Sequence, residues 1–108
     1  MQSELKIAFI GGGNMAQALI GGLAGRLTAA SNIHIVDVMP TTLTLLSERF
    51  GVTTAQAPTD VLAACDVIVL AVKPQQLREV VATIKPFLKL QLVLSIAAGI
   101  RAADISRW

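Results

Sequence analysis

Charge and aromatic rings are both scarce in this 108-residue chain. Asp, Glu, Lys and Arg make up 15% of it, Phe and Trp 4%, and tyrosine is missing altogether. Nine basic against seven acidic residues leave a formal charge of +2, and the basic side chains are scattered. A nucleic-acid backbone therefore meets no concentrated positive patch. Cys65 is the sole cysteine, which excludes an internal disulfide and points to a reducing, cytoplasmic setting. His34 is the sole histidine, and no cluster of ligands with metal-site spacing surrounds it in sequence. No apolar run approaches the roughly 18 residues that a membrane helix needs. The longest, from Val67 to Val72, has the length of a buried strand. Glu4 and Lys6 beside a glycine cluster do not have the layout of a secretory signal.

What is present is aliphatic. Hydrophobic residues reach 54%, enough for a packed core and too many for a disordered chain. With rings so few, that core must be built from Leu, Ile, Val and Ala. The length fits one domain, residues 1–108, with no linker, repeat or low-complexity stretch.

Strand and helix signals alternate along the chain. Leu5–Ile10 reads as a strand running into Gly11-Gly12-Gly13, followed by a helix from about Asn14 to Leu27 with Met15, Leu19, Leu23 and Leu27 as its apolar stripe. Gly21 and Gly22 inside that helix each cost roughly 1 kcal/mol against alanine, so they are expected to serve close packing. Ile33–Asp37 reads as a second strand, and Pro40 as the start of a helix that Gly51 ends. A short third strand is expected at Val52–Thr54, and a short helix capped by Thr59 or Asp60 through Ala64. Asp66–Ala71 is the clearest strand, apolar without alternation, as a parallel strand covered on both faces would be. Pro74 is placed to open another helix, and Leu92–Ile96 is a fifth strand. This order predicts a parallel sheet with right-handed crossovers and helices on both faces.

Six of the eight glycines fall between Gly11 and Gly25, so they have a local task. Gly11-Gly12-Gly13-Asn14-Met15-Ala16 fits G-x-G-x-x-A, and an apolar strand precedes it while a helix follows. In a dinucleotide site Gly11 would allow the sharp turn, Gly13 would let a pyrophosphate reach the backbone, and Ala16 would keep the helix close to the strand. The N–H groups of Asn14 and Met15 would then face the phosphates at the helix start. Asp37 closes the second strand 21 residues after Ala16, where a carboxylate accepts hydrogen bonds from an adenosine ribose. It welcomes two hydroxyls and repels a 2′-phosphate, and no arginine follows it, so NAD is expected over NADP. Two readings without a ligand stay open: the glycines serve only a tight turn, and Asp37 only caps its loop or the next helix. The expected fold is a Rossmann-like, doubly wound α/β sheet.

The stretch Ile10–Ala16, continuing to Ile20-Gly21-Gly22-Leu23, resembles the start of pyrroline-5-carboxylate reductases. The segments Asp66–Gln75, with Ala71-Val72-Lys73-Pro74, and Leu94–Ile100, with Ala97-Ala98-Gly99, strengthen the resemblance across the chain. It implies an enzyme that reduces the imine of 1-pyrroline-5-carboxylate to L-proline with NADPH or NADH, in proline biosynthesis. It also implies a cofactor site of three loops: Gly11 to Met15, Ala71 to Pro74 near the nicotinamide end, and Ala97-Ala98 over the nicotinamide. The family's helical substrate and dimerisation domain has no counterpart here. The resemblance thus implies a homo-oligomeric longer protein, while this chain alone is expected to bind NAD(H) without turnover, and no catalytic residue is assigned. Family members that favour NADP often carry Asn or Ser followed by Arg where this chain has Asp37-Val38. Two other readings compete: a stand-alone NAD(H)-sensing module, and the cofactor domain of a hydroxyisobutyrate-dehydrogenase-like reductase. The Lys-Pro and Ala-Ala-Gly segments argue against the second.

Overall fold

The computed structural model describes residues 5–96. Five parallel strands, β1 (Ile7–Ile10), β2 (Ile33–Val36), β3 (Thr53–Ala55), β4 (Val67–Leu70) and β5 (Leu92–Ser95), form one sheet in the order β3-β2-β1-β4-β5. The helices are α1 (Asn14–Leu23), α2 (Pro40–Phe50) and α3 (Leu77–Ile84). From β1 the chain winds outward through β2 and β3, then returns to the other flank of β1 for β4 and β5. The winding therefore reverses at β1, and the loops after β1 and β4 flank a topological switch point.

Side chains alternate across each strand, and they build two cores. Ile7, Phe9, Ile33, Ile35 and Val69 pack with Ala16 and Ile20 of α1 and Leu43 and Leu46 of α2. On the other face Ala8, Ile10, Val36, Ile68 and Leu70 pack with Leu62, Cys65 and the Leu77, Val81 and Ile84 stripe of α3. The central strands β1 and β2 are buried at every position, which explains the unbroken apolar sequence of β1; in β2 the burial includes His34.

Local chemistry accounts for the element ends. Pro40 occupies the first turn of α2, and Gly51 ends it in the left-handed conformation at φ 76°. Thr59 caps the 3-10 turn Asp60–Ala64, its side chain accepting from the Val61 N–H. Several expectations need correction. Helix α1 stops at Leu23 and does not reach Leu27, because Gly25 turns the chain at φ 76° and its N–H donates to the Thr28 carbonyl. Thr28, fully buried, donates its hydroxyl to the Leu5 carbonyl at 2.7 Å and anchors the new direction. The inward face of α1 is Ala16, Ile20 and Leu23, whereas Met15 and Leu19 are exposed. A Cβ on Gly21 would meet the Phe50 ring at an ordinary 3.6 Å, and one on Gly22 would meet nothing. Close packing thus does not account for the pair, and nothing in the structure explains Gly22. Pro74 opens a 3-10 turn, Pro74–Gln76, and α3 begins only at Leu77.

The short Asp60–Ala64 turn covers its face of the sheet less fully than a long helix would. A cavity of about 330 Å³ remains at the amino ends of the strands, lined in part by Lys6, His34, Thr53 and Cys65. His34 is 6% exposed, with Nδ1 2.7 Å from the Thr53 hydroxyl and Nε2 buried without a hydrogen-bond partner. Burial pushes its imidazole below the usual value of 6.5. As pH falls below about 6.5 the unfolded chain takes up a proton that the folded chain refuses, so stability declines toward acid and is fully present above that value. Thermal unfolding is expected at a lower temperature at pH 5.5 than at pH 7.5, with His34→Gln flattening the difference. A melting temperature that rises on acidification contradicts this assignment.

Candidate functional site

The carboxyl end of β1 is tied to both neighbours. The Gly11 N–H donates to the Val36 carbonyl at 2.7 Å, and the Ala71 N–H donates to the Ile10 carbonyl at 2.8 Å. The glycine loop and the Ala71-Val72 loop are thereby brought against each other. Gly11 sits at φ 101°, where other residues are strained, and a Cβ there would lie 2.5 Å from the Ala71 carbonyl oxygen and 3.2 Å from Val72 Cγ1. Gly12 is confined on the opposite side, where a Cβ would lie 2.9 Å from Leu46 Cδ1 and 3.0 Å from Thr42 Cγ2.

Gly13 differs from both. Its backbone, at φ −73° and ψ −171°, suits any residue, and a Cβ built on it meets no atom within 4 Å. It stands exposed as the N-cap of α1, with no side chain capping the helix and no acidic residue in the first turn. The first-turn N–H groups have no carbonyl within the helix to receive them. The positive end of the helix dipole is therefore open, with a bare backbone in front of it, and its donor set is that of an anion site.

Asp37 follows β2 beside this loop. Its Oδ2 accepts from the Gly12 N–H at 2.8 Å and its Oδ1 from the Met39 N–H at 2.9 Å. The carboxylate does cap its surroundings, and each oxygen retains a second lone pair for an outside donor. On the far side of the switch point Val72 is half-buried, while Lys73 and Pro74 are exposed. Lys73 is held through its backbone, its N–H donating to Gln76 Oε1 and its carbonyl accepting from the Gln76 N–H. Gly11, Gly12, Asp37, Ala71 and Val72 thus form one contiguous edge, with Gly13, Asn14 and Met15 opening the adjacent helix. Ala97 and Ala98 lie outside the described residues.

Three participants were not legible in the sequence. Thr42 and Leu46 of α2 crowd Gly12, and Gln17 folds its side chain back so that Nε2 donates to the Gly12 carbonyl at 3.0 Å. A polar side chain one turn past a glycine loop was the available signal for Gln17. Among the described residues no three His, Cys, Asp or Glu side chains are gathered as a metal site requires, and no helix is long and apolar enough to cross a membrane. The Cys65 thiol is pushed up by burial and by Asp66, with Lys6 opposing, which disfavours the reactive thiolate.

Fold and loop together define a Rossmann-like α/β domain whose glycine turn opens a helix at the switch point of a parallel sheet. The chain belongs to the family described as NADP oxidoreductase coenzyme F420-dependent, matched over residues 6–99. It is 39% identical to a pyrroline-5-carboxylate reductase of Pseudomonas aeruginosa over 98% of its own length and 39% of the relative's. A solved pyrroline-5-carboxylate reductase from Coxiella burnetii superposes with a TM-score of 0.88 at 34% identity, covering 98% of this chain and 40% of the other. A pyrroline carboxylate reductase from Plasmodium falciparum, solved with NADP bound, superposes with a TM-score of 0.78 at 26% identity, over 99% and 38% of the two chains. The chain therefore spans about two-fifths of the length of the proteins it is similar to.

Proposed function

We propose that residues 1–108 form the nicotinamide-dinucleotide domain of an imine reductase that converts 1-pyrroline-5-carboxylate to L-proline. The observation that carries the cofactor half is Gly13, a glycine that its own chain does not require, facing open space at an uncapped helix start. The similarity to the Pseudomonas aeruginosa and Coxiella burnetii reductases supports the substrate half. The Gly13, Asn14 and Met15 backbone would hold the pyrophosphate, Asp37 the adenosine ribose, and Ala71 to Pro74 the nicotinamide end, with Ala97-Ala98 closing the third side. The bound nicotinamide would supply the hydride; this chain's residues would bind and orient it at the switch point. A cytoplasmic setting and a homo-oligomeric longer protein belong to the same reading.

Asp37 favours NAD over NADP. Two of its lone pairs hold backbone N–H groups in place, so the carboxylate is fixed where a 2′-phosphate would meet a like charge. The chain is expected to bind NADH more tightly than NADPH, and Asp37→Ser to narrow that ratio by about tenfold, the equivalent of one repelled charge contact of ~1.4 kcal/mol. Dissociation constants from fluorescence titration decide it. Tighter binding of NADPH by the unaltered chain contradicts the assignment.

A further inference from the structure

We infer that Gln17 is a positioning residue that aims the Gly13 N–H at the cofactor phosphates by holding the other end of the same peptide unit. The inference rests on the dinucleotide reading given above. The Gly12 carbonyl and the Gly13 N–H belong to one planar trans peptide, so they point in opposite directions and turn together. Between two glycines that plane is unusually free to flip, because neither residue has a Cβ to oppose the change in ψ and φ. Three bonds hold the surroundings. Asp37 accepts from the Gly12 N–H at 2.8 Å and so fixes the preceding peptide, while the Gly13 carbonyl accepts from the Gln17 N–H at 2.9 Å and fixes the following one. The Gly12–Gly13 peptide between them is held by Gln17 Nε2 on the Gly12 carbonyl at 3.0 Å. Gln17 is half-buried and sits one turn inside α1, so a rigid helix carries the donor. With the Gly12 carbonyl held by Gln17, the Gly13 N–H points the opposite way, away from Gln17, on an exposed residue where even a Cβ would meet nothing.

The donor, not the bulk of the side chain, is what matters. Gln17→Met keeps the length and loses the N–H; Gln17→Lys keeps a donor. On the 108-residue chain, Gln17→Met is expected to weaken NADH and ADP-ribose about tenfold, the scale of one hydrogen bond. Adenosine, which has no phosphate, should bind all three forms equally, and Gln17→Lys should bind NADH and ADP-ribose at least as tightly as the unaltered chain, since it keeps a donor and adds a charge of the favourable sign. The ligand-free Gly13 amide resonance supplies a readout independent of any cofactor: exchange broadening in Gln17→Met and none in Gln17→Lys. Equal NADH affinity in Gln17→Met overturns the inference, as does an adenosine loss as large as the ADP-ribose loss. Failure of the unaltered chain to bind NADH or ADP-ribose overturns the dinucleotide reading itself and the phosphate-directed half of this inference, while the Gly13 resonance still reports whether Gln17 holds the peptide.

Discussion

Gly13→Val is expected to leave the chain folded and to weaken NADH at least a hundredfold, a loss of ~2.7 kcal/mol or more. The stability side follows from the backbone. At φ −73° and ψ −171° the position is extended and open to any residue, and the new Cβ touches nothing. The remaining cost is a poorer N-cap, about 1 kcal/mol, since valine replaces a residue tolerated there. The binding side follows from the same empty space. A pyrophosphate at a helix start needs its oxygens about 3 Å from backbone nitrogens, and a branched side chain on Gly13 fills that approach. Circular-dichroism melting and NADH titration on one preparation separate the two effects. Undiminished NADH binding by Gly13→Val places the cofactor elsewhere.

Gly11→Ala, two residues away in the same motif, is expected to do the reverse. Its Cβ would lie 2.5 Å from the Ala71 carbonyl oxygen, a backbone atom on the adjacent strand end, and alanine would have to adopt φ 101°. The conformational strain costs ~1–3 kcal/mol; the overlap must be relieved by parting β1 from β4 where the Ala71 N–H meets the Ile10 carbonyl. Together the loss is ~3–5 kcal/mol, a large share of the ~5–15 kcal/mol that holds such a domain folded. The melting temperature should fall by roughly 15 °C. A Gly11→Ala chain that melts with the unaltered one means that the loop after β1 does not press on Ala71 as described.

These opposite outcomes show what the motif left undecided. G-x-G-x-x-A gives the turn to Gly11 and the phosphate approach to Gly13 and is silent on Gly12, whereas the structure also presses Gly11 on Ala71 and Gly12 on α2 and leaves Gly13 alone facing open space. The alternation of elements was legible because each depends on local chemistry: Pro40 and Gly51 bound α2, and Val67–Leu70 is apolar throughout because β4 is covered on both faces. The buried side of α1 was not. That helix carries two candidate stripes, Met15 with Leu19 and Ala16 with Ile20 and Leu23, and periodicity alone cannot choose between them. The small Ala16 wins because it lets the helix axis approach Phe9 and Ile35 on the sheet, which leaves Met15 60% exposed. β5 poses the same problem at the level of the sheet. Leu92 and Leu94 are apolar residues of a strand, yet they lie exposed because β5 is an edge of the sheet among the described residues. Position within a sheet is set by topology, not by the strand's own residues.

Asp37 marks the remaining gap between pattern and geometry. In sequence its two readings, ribose acceptor and loop cap, compete. In space they are compatible, since a carboxylate that holds the Gly12 and Met39 N–H groups keeps further lone pairs. The cap then becomes part of the recognition, because it fixes the charge that discriminates between the two cofactors.

The most direct test is titration of the 108-residue chain with NADH, followed by the transfer of its nicotinamide fluorescence, alongside Gly13→Val. Saturable one-to-one binding by the unaltered chain, lost in Gly13→Val while the melting curve persists, is the expected result. A folded chain that shows no saturable binding of either NADH or NADPH contradicts the assignment of the glycine loop as a phosphate site.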